Sequence, residues 1–268
     1  MSVPSSAAIP PPPTRSLAQR LPDLLVWGGV LALLVIAFHP AEIYKLPLLF
    51  SNSQNMQQFG HEFTKPDWTD WRTYVGQMWL TIQIALWGTG LAILVAIPIG
   101  LLAARNMSPP WVQMPVRWVL NLIRSAPDLV VGTIFIVAVG PGPFAGVMAL
   151  AVNTSGVLAK LFSEAVESID RGPVEGVRAT GAHKLHEIVW GVIPQVAPLW
   201  TSYALYRFES NSRSATVLGL IGAGGIGQLL FDSLNGFAYQ RTSAIVLVII
   251  AAVTLIDMLS QAMRSRLL

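Results

Sequence analysis

Four charged residues lie in stretches of the sequence that are otherwise almost entirely apolar: Arg124, Arg207, Glu209 and Arg213. The guanidinium group of arginine presents a planar fork of N–H donors that matches the oxygens of a carboxylate, phosphate or phosphonate. One glutamate cannot neutralise three arginines. We therefore expect at least one arginine to face a polar cavity, where a passing oxyanion is its transient partner. A second interpretation stays open, in which these residues and Asn211 hold helices together, close a gate or bind lipid headgroups.

The surroundings of these charges indicate a membrane protein. Of the 268 residues, 53% are hydrophobic and 12% are charged, whereas soluble domains carry about 25% charged residues. No Asp, Glu, Lys or Arg occurs within residues 73–104, 129–159, 188–206 or 214–231. About 20 apolar residues are enough for a helix to cross a bilayer. The composition therefore predicts an all-α integral membrane protein.

The apolar runs predict six transmembrane helices. We expect a disordered tail over residues 1–23, a first transmembrane helix over 24–40, an external polar loop over 41–73 and a helical core over 74–268. The helices of the core are expected at about 74–104 with a kink at Pro98, and at 112–139, 144–163, 192–231 and 242–263. A cleaved secretory signal is the alternative for the first apolar segment.

The distribution of Lys and Arg predicts the orientation of the chain in a bacterial inner membrane. Loops on the cytoplasmic side carry an excess of these residues. With a cytoplasmic N-terminus, the inner side receives Arg15, Arg20, Arg105, Arg117, Lys160, Arg171, Arg178, Lys184, Arg264 and Arg266. The outer side then receives Lys45, Lys65, Arg72 and Arg241. We expect both termini and the loop over 164–191 to be cytoplasmic.

The loop over 164–191 contains signals for two short helices. Pro173 suits the first position of a helix, and Glu175 then interacts favourably with the helix dipole. Gly181 suits a left-handed cap at the end of that helix. A second short helix over 184–191 is expected to lead into Pro194 at the membrane. The pattern predicts a helix-turn-helix on the cytoplasmic surface, and an ordinary amphipathic loop is the alternative.

The spacing of Glu175, Gly181 and Pro194 resembles the EAA loop of ABC importer permeases. The two alanines of that motif are replaced by Gly176 and Val177 here, and a glycine stands at position 191, where an apolar residue is usual. In that family the loop is the coupling helix, which docks in a groove of the ATPase. The resemblance implies a role in ATPase coupling for Glu175, Arg178, Gly181, His183 and Pro194.

A second stretch resembles one group of these permeases. Residues 207–227 contain Arg-x-Glu-x-Asn-x-Arg-x-Ala-Thr-Val-Leu-Gly followed by Gly-Ala-Gly-Gly-Ile-Gly, as in permeases of the phosphonate and phosphite import group. Residues 124–127 read Arg-Ser-Ala-Pro, which is similar to the Arg-Ser-x-Pro of this group and of its methionine-importer relatives. The resemblance covers about residues 74–264 and leaves the first helix outside. It implies the type I importer permease fold and a translocation pathway for phosphonate-like or phosphite-like oxyanions.

The resemblance also implies the partners of the chain. These are two cytosolic ATPase subunits that bind ATP and Mg, a periplasmic or lipid-anchored solute-binding protein, a second permease copy and the membrane lipid. The chain lacks the G-x-x-x-x-G-K-[ST] phosphate loop and any catalytic constellation, so we expect no enzyme activity, no cofactor and no nucleic-acid binding. The alternatives are a permease of the same fold for methionine, phosphate or another small solute, and an ATPase-independent channel or membrane enzyme.

Two further patterns have a structural interpretation. Gly222, Gly224 and Gly227 fit G-x-G-x-x-G, but a dinucleotide site requires a soluble βαβ unit and an acid about 20 residues further on. We expect a break in a helix instead, with a hinge formed by Gly219, Gly222, Gly224, Gly225 and Gly227. His183 and His186 lack a third ligand and the chain has no cysteine, so no metal site is expected.

Overall fold

The computed structural model describes residues 17–51, 57 and 60–266, and within these residues the regular structure is entirely helical. The chain forms two compact units, Met1–Phe59 and Gly60–Leu268. The predicted all-α fold class is therefore confirmed. The second unit begins before position 74, the predicted start of the core.

The first unit contains one long helix. Helix α1 covers Leu17–Phe38, begins earlier than the predicted position 24 and contains Pro22. A short 3-10 helix at Ile43–Lys45 and a single turn, α2 at Leu48–Ser51, follow within the predicted loop. The predicted disorder of residues 1–16 concerns positions outside the described residues.

The second unit begins with helical residues at 60–63, and the other helices of its described residues follow. They are α3 (Trp71–Ala103), α4 (Pro110–Ser125), α5 (Asp128–Val139), α6 (Pro143–Glu167), α7 (Arg171–Ala179), α8 (Lys184–His186), α9 (Ile193–Leu218), α10 (Gly225–Asn235) and α11 (Tyr239–Arg264). Two π-helical segments, Glu187–Val192 and Gly219–Ala223, lie at the two ends of α9. Residues 60–70 pack on the start of α11, where the Asp67 amide donates to the carbonyl oxygen of Gln240 at 3.0 Å.

The helices provide up to six membrane spans, in agreement with the prediction. Within the described residues, α1, α3, α6 and α11 are each long and apolar enough to cross a bilayer. Two further candidate spans are bent pairs of helices. One consists of α4 and α5, and the other joins Lys184–Ala223 to α10.

The prediction of one helix over 112–139 is wrong. Helices α4 and α5 meet at an angle of 90°, and the backbone of Ala126 and Pro127 between them is extended, with ψ of 126° and 143°. Proline lacks an amide proton and disfavours the α conformation in the residue before it. The bend places Arg124 at the end of one helix and Asp128 at the start of the next.

Helices α3 and α6 form the centre of the second unit. A Cβ atom on Gly88 would lie 2.7 Å from the Cβ of Leu150, and one on Gly100 would lie 2.9 Å from the Cβ of Phe162. These glycines allow the two helices to approach closely, as small residues do in membrane helix pairs. The close pair provides a rigid support for α4, α5 and α9.

The predicted break in the glycine-rich segment is present. Helix α9 passes into the π-helical segment Gly219–Ala223, and Gly222 there has a φ of +101°. The helical stretch before this point and α10 after it are bent by 59°. Only glycine adopts such a φ without strain, so the sequence determines where the helix turns.

Candidate functional site

Helix α7 begins after an N-cap residue, Asp170, that was not among the predicted site residues. The carboxylate of Asp170 accepts a hydrogen bond from the Gly172 amide at 3.0 Å and caps the helix, which begins at Arg171. The predicted start at Pro173 is therefore two residues late. Aspartate is a strong N-cap, and proline is also tolerated within the first turn, where its missing amide has no partner to lose. Glu175 lies on the exposed surface of α7.

The end of α7 has the predicted cap. Gly181 has a φ of +80°, and its amide donates to the carbonyl oxygen of Arg178 at 3.0 Å. His183 precedes α8, which does not end at position 191 as predicted. It continues through the π-helical segment Glu187–Val192 into α9, where Pro194 is the second residue. Helix α7 is thus joined to one long helical element.

A bidentate ion pair holds α7 against this element. Arg178 donates from Nε to Glu187 Oε1 at 2.9 Å and from Nη2 to Oε2 at 3.0 Å. Only 5% of Glu187 is exposed, and its hydrogen bonds raise the pKa of the Arg178 guanidinium. Lys184 lies 3.7 Å from the same carboxylate. The predicted coupling residue Arg178 is therefore paired with an acid of its own chain. Glu187 was not among the residues predicted from the sequence.

Gly191 and Gln195 complete the attachment of α7. A Cβ atom on Gly191 would lie 3.0 Å from the Cα of Val174, so this glycine lets the two segments touch where a larger apolar residue is usual. The Gln195 side chain donates to the carbonyl oxygen of Asp170 and accepts from its amide, both at 3.1 Å. The side-chain nitrogen of Gln195, Nε2, also donates to the carbonyl oxygen of Gly191, at 2.6 Å. No spacing rule points to Gln195, because its partners are brought close only by the fold.

The outer surface of α7 and α8 is free to receive a partner. Glu175 and His183 are exposed, and so is Leu185, at 73%. A pocket beside this surface is lined by residues of the α3–α4 turn, of α7 and of α8, including Asn106, Met107, Arg171, Glu175 and Lys184. The exposed surface of α7 and α8 therefore combines charged side chains with an adjacent pocket.

The acidic partner of the predicted charge cluster is shared by two helices. Glu209 accepts from Arg213 Nη2 at 3.1 Å and from Arg264 Nη2 at 2.9 Å. Arg213 Nη1 also contacts both carboxylate oxygens of Asp257, at 3.1 and 3.2 Å. Arg213 therefore has two acidic partners, and the ion pairs connect α9 to α11. Asp257 was not predicted as a partner because it is 44 residues away from Arg213 along the chain.

Asn211 is the centre of a buried polar network. Its amide oxygen accepts from the Thr154 hydroxyl at 3.0 Å, and its amide nitrogen donates to the Thr89 hydroxyl at 2.8 Å. The Thr89 hydroxyl donates in turn to the carbonyl oxygen of Ala85 at 2.7 Å. Asn211 is 1% exposed. The network joins α3, α6 and α9 at one level of the bundle.

Arg124 and Arg207 differ from Arg213. Neither has a carboxylate within 4 Å among the residues that the structure describes. Arg124 is exposed at the end of α4. Arg207 is half-buried, and its Nη2 makes only long hydrogen bonds, 3.3 Å to Thr154 and 3.4 Å to Asn211. Its Nε is buried without a partner.

These features lie within a recognisable family. Residues 96–267 match the family described as binding-protein-dependent transport system inner membrane component. The chain belongs to this family. The permease is therefore the membrane subunit of a transport system and not an enzyme, and ATP hydrolysis belongs to a separate subunit.

Named relatives come from phosphite and phosphonate transport. The phosphite transport system permease protein PtxC of Stutzerimonas stutzeri is 41% identical over 204 residues, which cover 76% of this permease and 74% of the relative. The phosphonate transport system permease protein PhnE2 of Escherichia coli K12, described as cryptic, is 61% identical over 117 residues, which are 44% of this permease and 96% of the relative.

Another phosphite transport permease of S. stutzeri, HtxC, is 34% identical and aligns with 93% of this permease and 89% of its own length. Because this alignment leaves out only 7% of the chain, the likeness extends well beyond the range 74–264 that the motifs indicated. The first helix is therefore not peculiar to this permease.

Solved structures confirm the predicted fold. The membrane chain of the methionine ABC transporter MetNI, in an inward-facing conformation, gives a TM-score of 0.63 at 20% identity and covers 72% of this permease and 95% of that chain. A bacterial importer of alginate gives a TM-score of 0.57 at 15% identity and covers 93% and 98% of the two chains. The type I importer permease fold follows from these likenesses.

The glycine-rich segment of the permease is tightly packed. A Cβ atom on Gly227 would lie 1.8 Å from the carbonyl oxygen of Thr216, and the Thr81 hydroxyl accepts from the Ile226 amide at 2.8 Å. Gly224 and Gly225 also have positive φ, and Gly219 lies against the backbone of residues 224–228. The predicted hinge glycines thus lie close together around the break between α9 and α10.

The histidine pair His183 and His186 does not have the arrangement of metal ligands. The rings of His183 and His186 lie 6.5 Å apart, and the part of the chain that the structure describes contains no group of three or more His, Cys, Asp or Glu suited to a metal ion. Both histidines are exposed on the surface of α7 and α8.

Proposed function

We propose that the permease forms the pathway for oxyanions of the phosphite and phosphonate class. The observation that carries this proposal is the 41% identity to a phosphite permease over most of both chains. The arginines support it, because Arg124 and Arg207 have no acidic partner among the described residues and are available to an anion. Glu209 and Arg213 are assigned to the wall or gate, since their charges are already paired.

Uptake by the reconstituted transporter tests the substrate class. The permease is placed in proteoliposomes with its ATPase and its binding protein, and uptake of radiolabelled phosphite, a phosphonate, phosphate and methionine is measured. ATP-dependent accumulation of phosphite or phosphonate, at least tenfold above methionine, is the expected result. Preferential uptake of methionine would contradict the proposed substrate class. The substrate would then agree with the methionine transporter of similar fold and not with the phosphite and phosphonate permeases of similar sequence.

The surface of α7 and α8 is proposed as the contact with the ATPase. Glu175 and His183 are exposed on it, while Arg178, Gly181 and Pro194 shape its attachment to α9. Cysteine cross-linking tests this assignment, since the native chain contains no cysteine. A cysteine at Glu175 should cross-link to the ATPase, whereas one at the exposed Trp79 of α3 should not. Equal cross-linking at both positions would contradict the assignment.

We also propose the orientation of the permease and its partners. We place both termini and α7 in the cytoplasm, as the distribution of Lys and Arg predicts. Two ATPase subunits with ATP and Mg then lie below the membrane, the binding protein lies outside, and a second permease copy completes the pathway. Reporter fusions at both termini test the orientation. Co-purification of two differently tagged copies tests whether the permease pairs with itself or with a paralogue.

A further inference from the structure

The arginines of the second unit differ in how completely their hydrogen-bond donors are used. Arg178 and Arg213 each make bidentate or doubly paired contacts with carboxylates. Arg117 donates to the Ala103 carbonyl at 2.9 Å and pairs with Glu167. Arg264 is paired with Glu209. Arg207 is the half-buried arginine whose charge is left without a carboxylate among the described residues.

The hydrogen bonds of Arg207 use only part of the donor capacity of its guanidinium group. A guanidinium group has five N–H donors. Here only Nη2 is engaged, at 3.3 and 3.4 Å, which is longer than the usual 2.7–2.9 Å of a charge-assisted hydrogen bond. Nε is shielded from solvent without an acceptor. A buried charge of this kind is costly unless a partner completes its shell.

The groups around Arg207 explain why its charge is left without a carboxylate partner. Thr154 and Asn211 are both buried, and their oxygens are already shared, because the Thr154 hydroxyl donates to Asn211. The Asn211 amide is fixed from the other side by Thr89 on α3. The nearby acid Asp128 accepts instead from the Ser214 hydroxyl at 2.9 Å. The network therefore positions the guanidinium without neutralising it.

We infer that Arg207 is the arginine that binds the transported oxyanion, with Thr154 and Asn211 as its positioning residues. The inference rests on the proposed function and narrows it to one side chain. The ligand is a tetrahedral phosphorus oxyanion, whose oxygens accept from the donors of Arg207 that are unused. Arg213 is excluded because its charge is paired with Glu209 and Asp257. Arg124 differs from Arg207 because it is exposed at the end of α4 and is not held by a buried network.

Three variants of the reconstituted complex test the assignment. Arg207→Lys keeps the charge but removes the fork, and Arg207→Gln removes the charge. Because hydrogen bonds to charged groups contribute about 1.5–3 kcal/mol, we expect the KM for phosphite to rise about tenfold to a hundredfold in both. The matched control, Arg72→Gln, removes the charge of an exposed arginine at the start of α3 and should stay within about threefold of the wild-type KM. Co-purification with the ATPase and basal ATP hydrolysis should be preserved in all three.

The isosteric change Asn211→Asp gives a sharper test, because it supplies a carboxylate at 3.4 Å from Arg207 Nη2, where the amide oxygen now lies. This internal counter-ion should compete with the oxyanion and raise the KM for phosphite about tenfold or more. Thr89→Val is its control. It removes the same hydrogen bond from the Asn211 nitrogen without adding charge, so its KM should change less than that of Asn211→Asp.

Each outcome decides a different question. A wild-type KM in Arg207→Gln, or equal losses in Arg207→Gln and Arg72→Gln with intact assembly, would overturn the assignment while leaving the substrate class in place. Equal losses in Asn211→Asp and Thr89→Val would assign the network a structural role only and also overturn it. If the wild-type complex transports no phosphorus oxyanion, the proposed function fails and the assignment of Arg207 fails with it.

Discussion

Glu187 shows how one buried acid organises an exposed surface. Its side chain is 7% exposed while the Arg178 side chain is 59% exposed, so the glutamate fixes one end of the bidentate contact and the arginine reaches to it from α7. Surface ion pairs contribute little when both partners are solvated. Here the glutamate is buried. We therefore expect the loss of its charge to displace α7 more than the loss of a solvent-exposed ion pair would.

Glu187→Gln is expected to weaken the attachment of α7. Glutamine keeps one acceptor but loses the second oxygen and the charge, so the bidentate contact becomes a single neutral hydrogen bond. We expect a few-fold decrease in the ratio of phosphite transported to ATP hydrolysed. Glu164→Gln is the control, since Glu164 is 51% exposed and pairs with Lys160 four residues away. Equal ratios for the two variants would refute a special role of Glu187.

At the scale of elements, α9 connects the two regions that the sequence singled out. The helical stretch Lys184–Ala223 starts beside α7 and ends at the glycine break. Insertions of π-helical geometry occur at both ends, and such insertions are frequent at functional sites. We therefore expect a displacement of α7 to be transmitted along this one element to the bend before α10. Asn211 and Arg207 lie on this element between its two ends.

The close contact between α7 and this element predicts the effect of Gly191→Ala. The added Cβ would lie 3.0 Å from the Val174 backbone, so α7 has to move, at a cost of about 1–3 kcal/mol for overpacking. We expect a lower thermal midpoint and less transport per ATP. Gly176→Ala on α7 is the control, because its Cβ meets nothing within 4 Å. A decrease of similar size in both variants would contradict the packing argument.

The glycine break makes a second prediction at this scale. In Gly227→Ala the Cβ would fall 1.8 Å from the Thr216 carbonyl oxygen, so the bend cannot form without displacement of α10. We expect little monodisperse protein in size-exclusion chromatography. Gly90→Ala, in α3 with nothing within 4 Å of its Cβ, should be neutral or stabilise by up to about 1 kcal/mol. Normal yield of Gly227→Ala would mean that the segment adapts easily.

For the whole molecule, the features set by local chemistry were predictable and those set by tertiary contacts were not. The apolar runs indicated six spans, and Gly181 and Gly222 indicated a cap and a break, because these signals depend on a few neighbouring residues. The 90° bend at Ala126–Pro127 was missed because an apolar run conceals it, although Pro127 was the available signal. Asp257 and Gln195 were missed because their partners are 44 and 25 residues distant along the chain.

The division into two units makes a prediction about the first 59 residues. Residues 60–268 form a compact unit with their own buried clusters, and such a unit folds without the segment that precedes it. Replacing residues 1–59 by an unrelated single-span segment of the same orientation should leave phosphite uptake within about twofold. The orientation has to be kept, because the first span usually dominates the topology of the spans that follow. Uptake per inserted molecule, with insertion measured by a reporter fused after residue 266, gives the comparison. A chimera that inserts and binds the ATPase but does not transport would show that the first unit has a function beyond setting orientation.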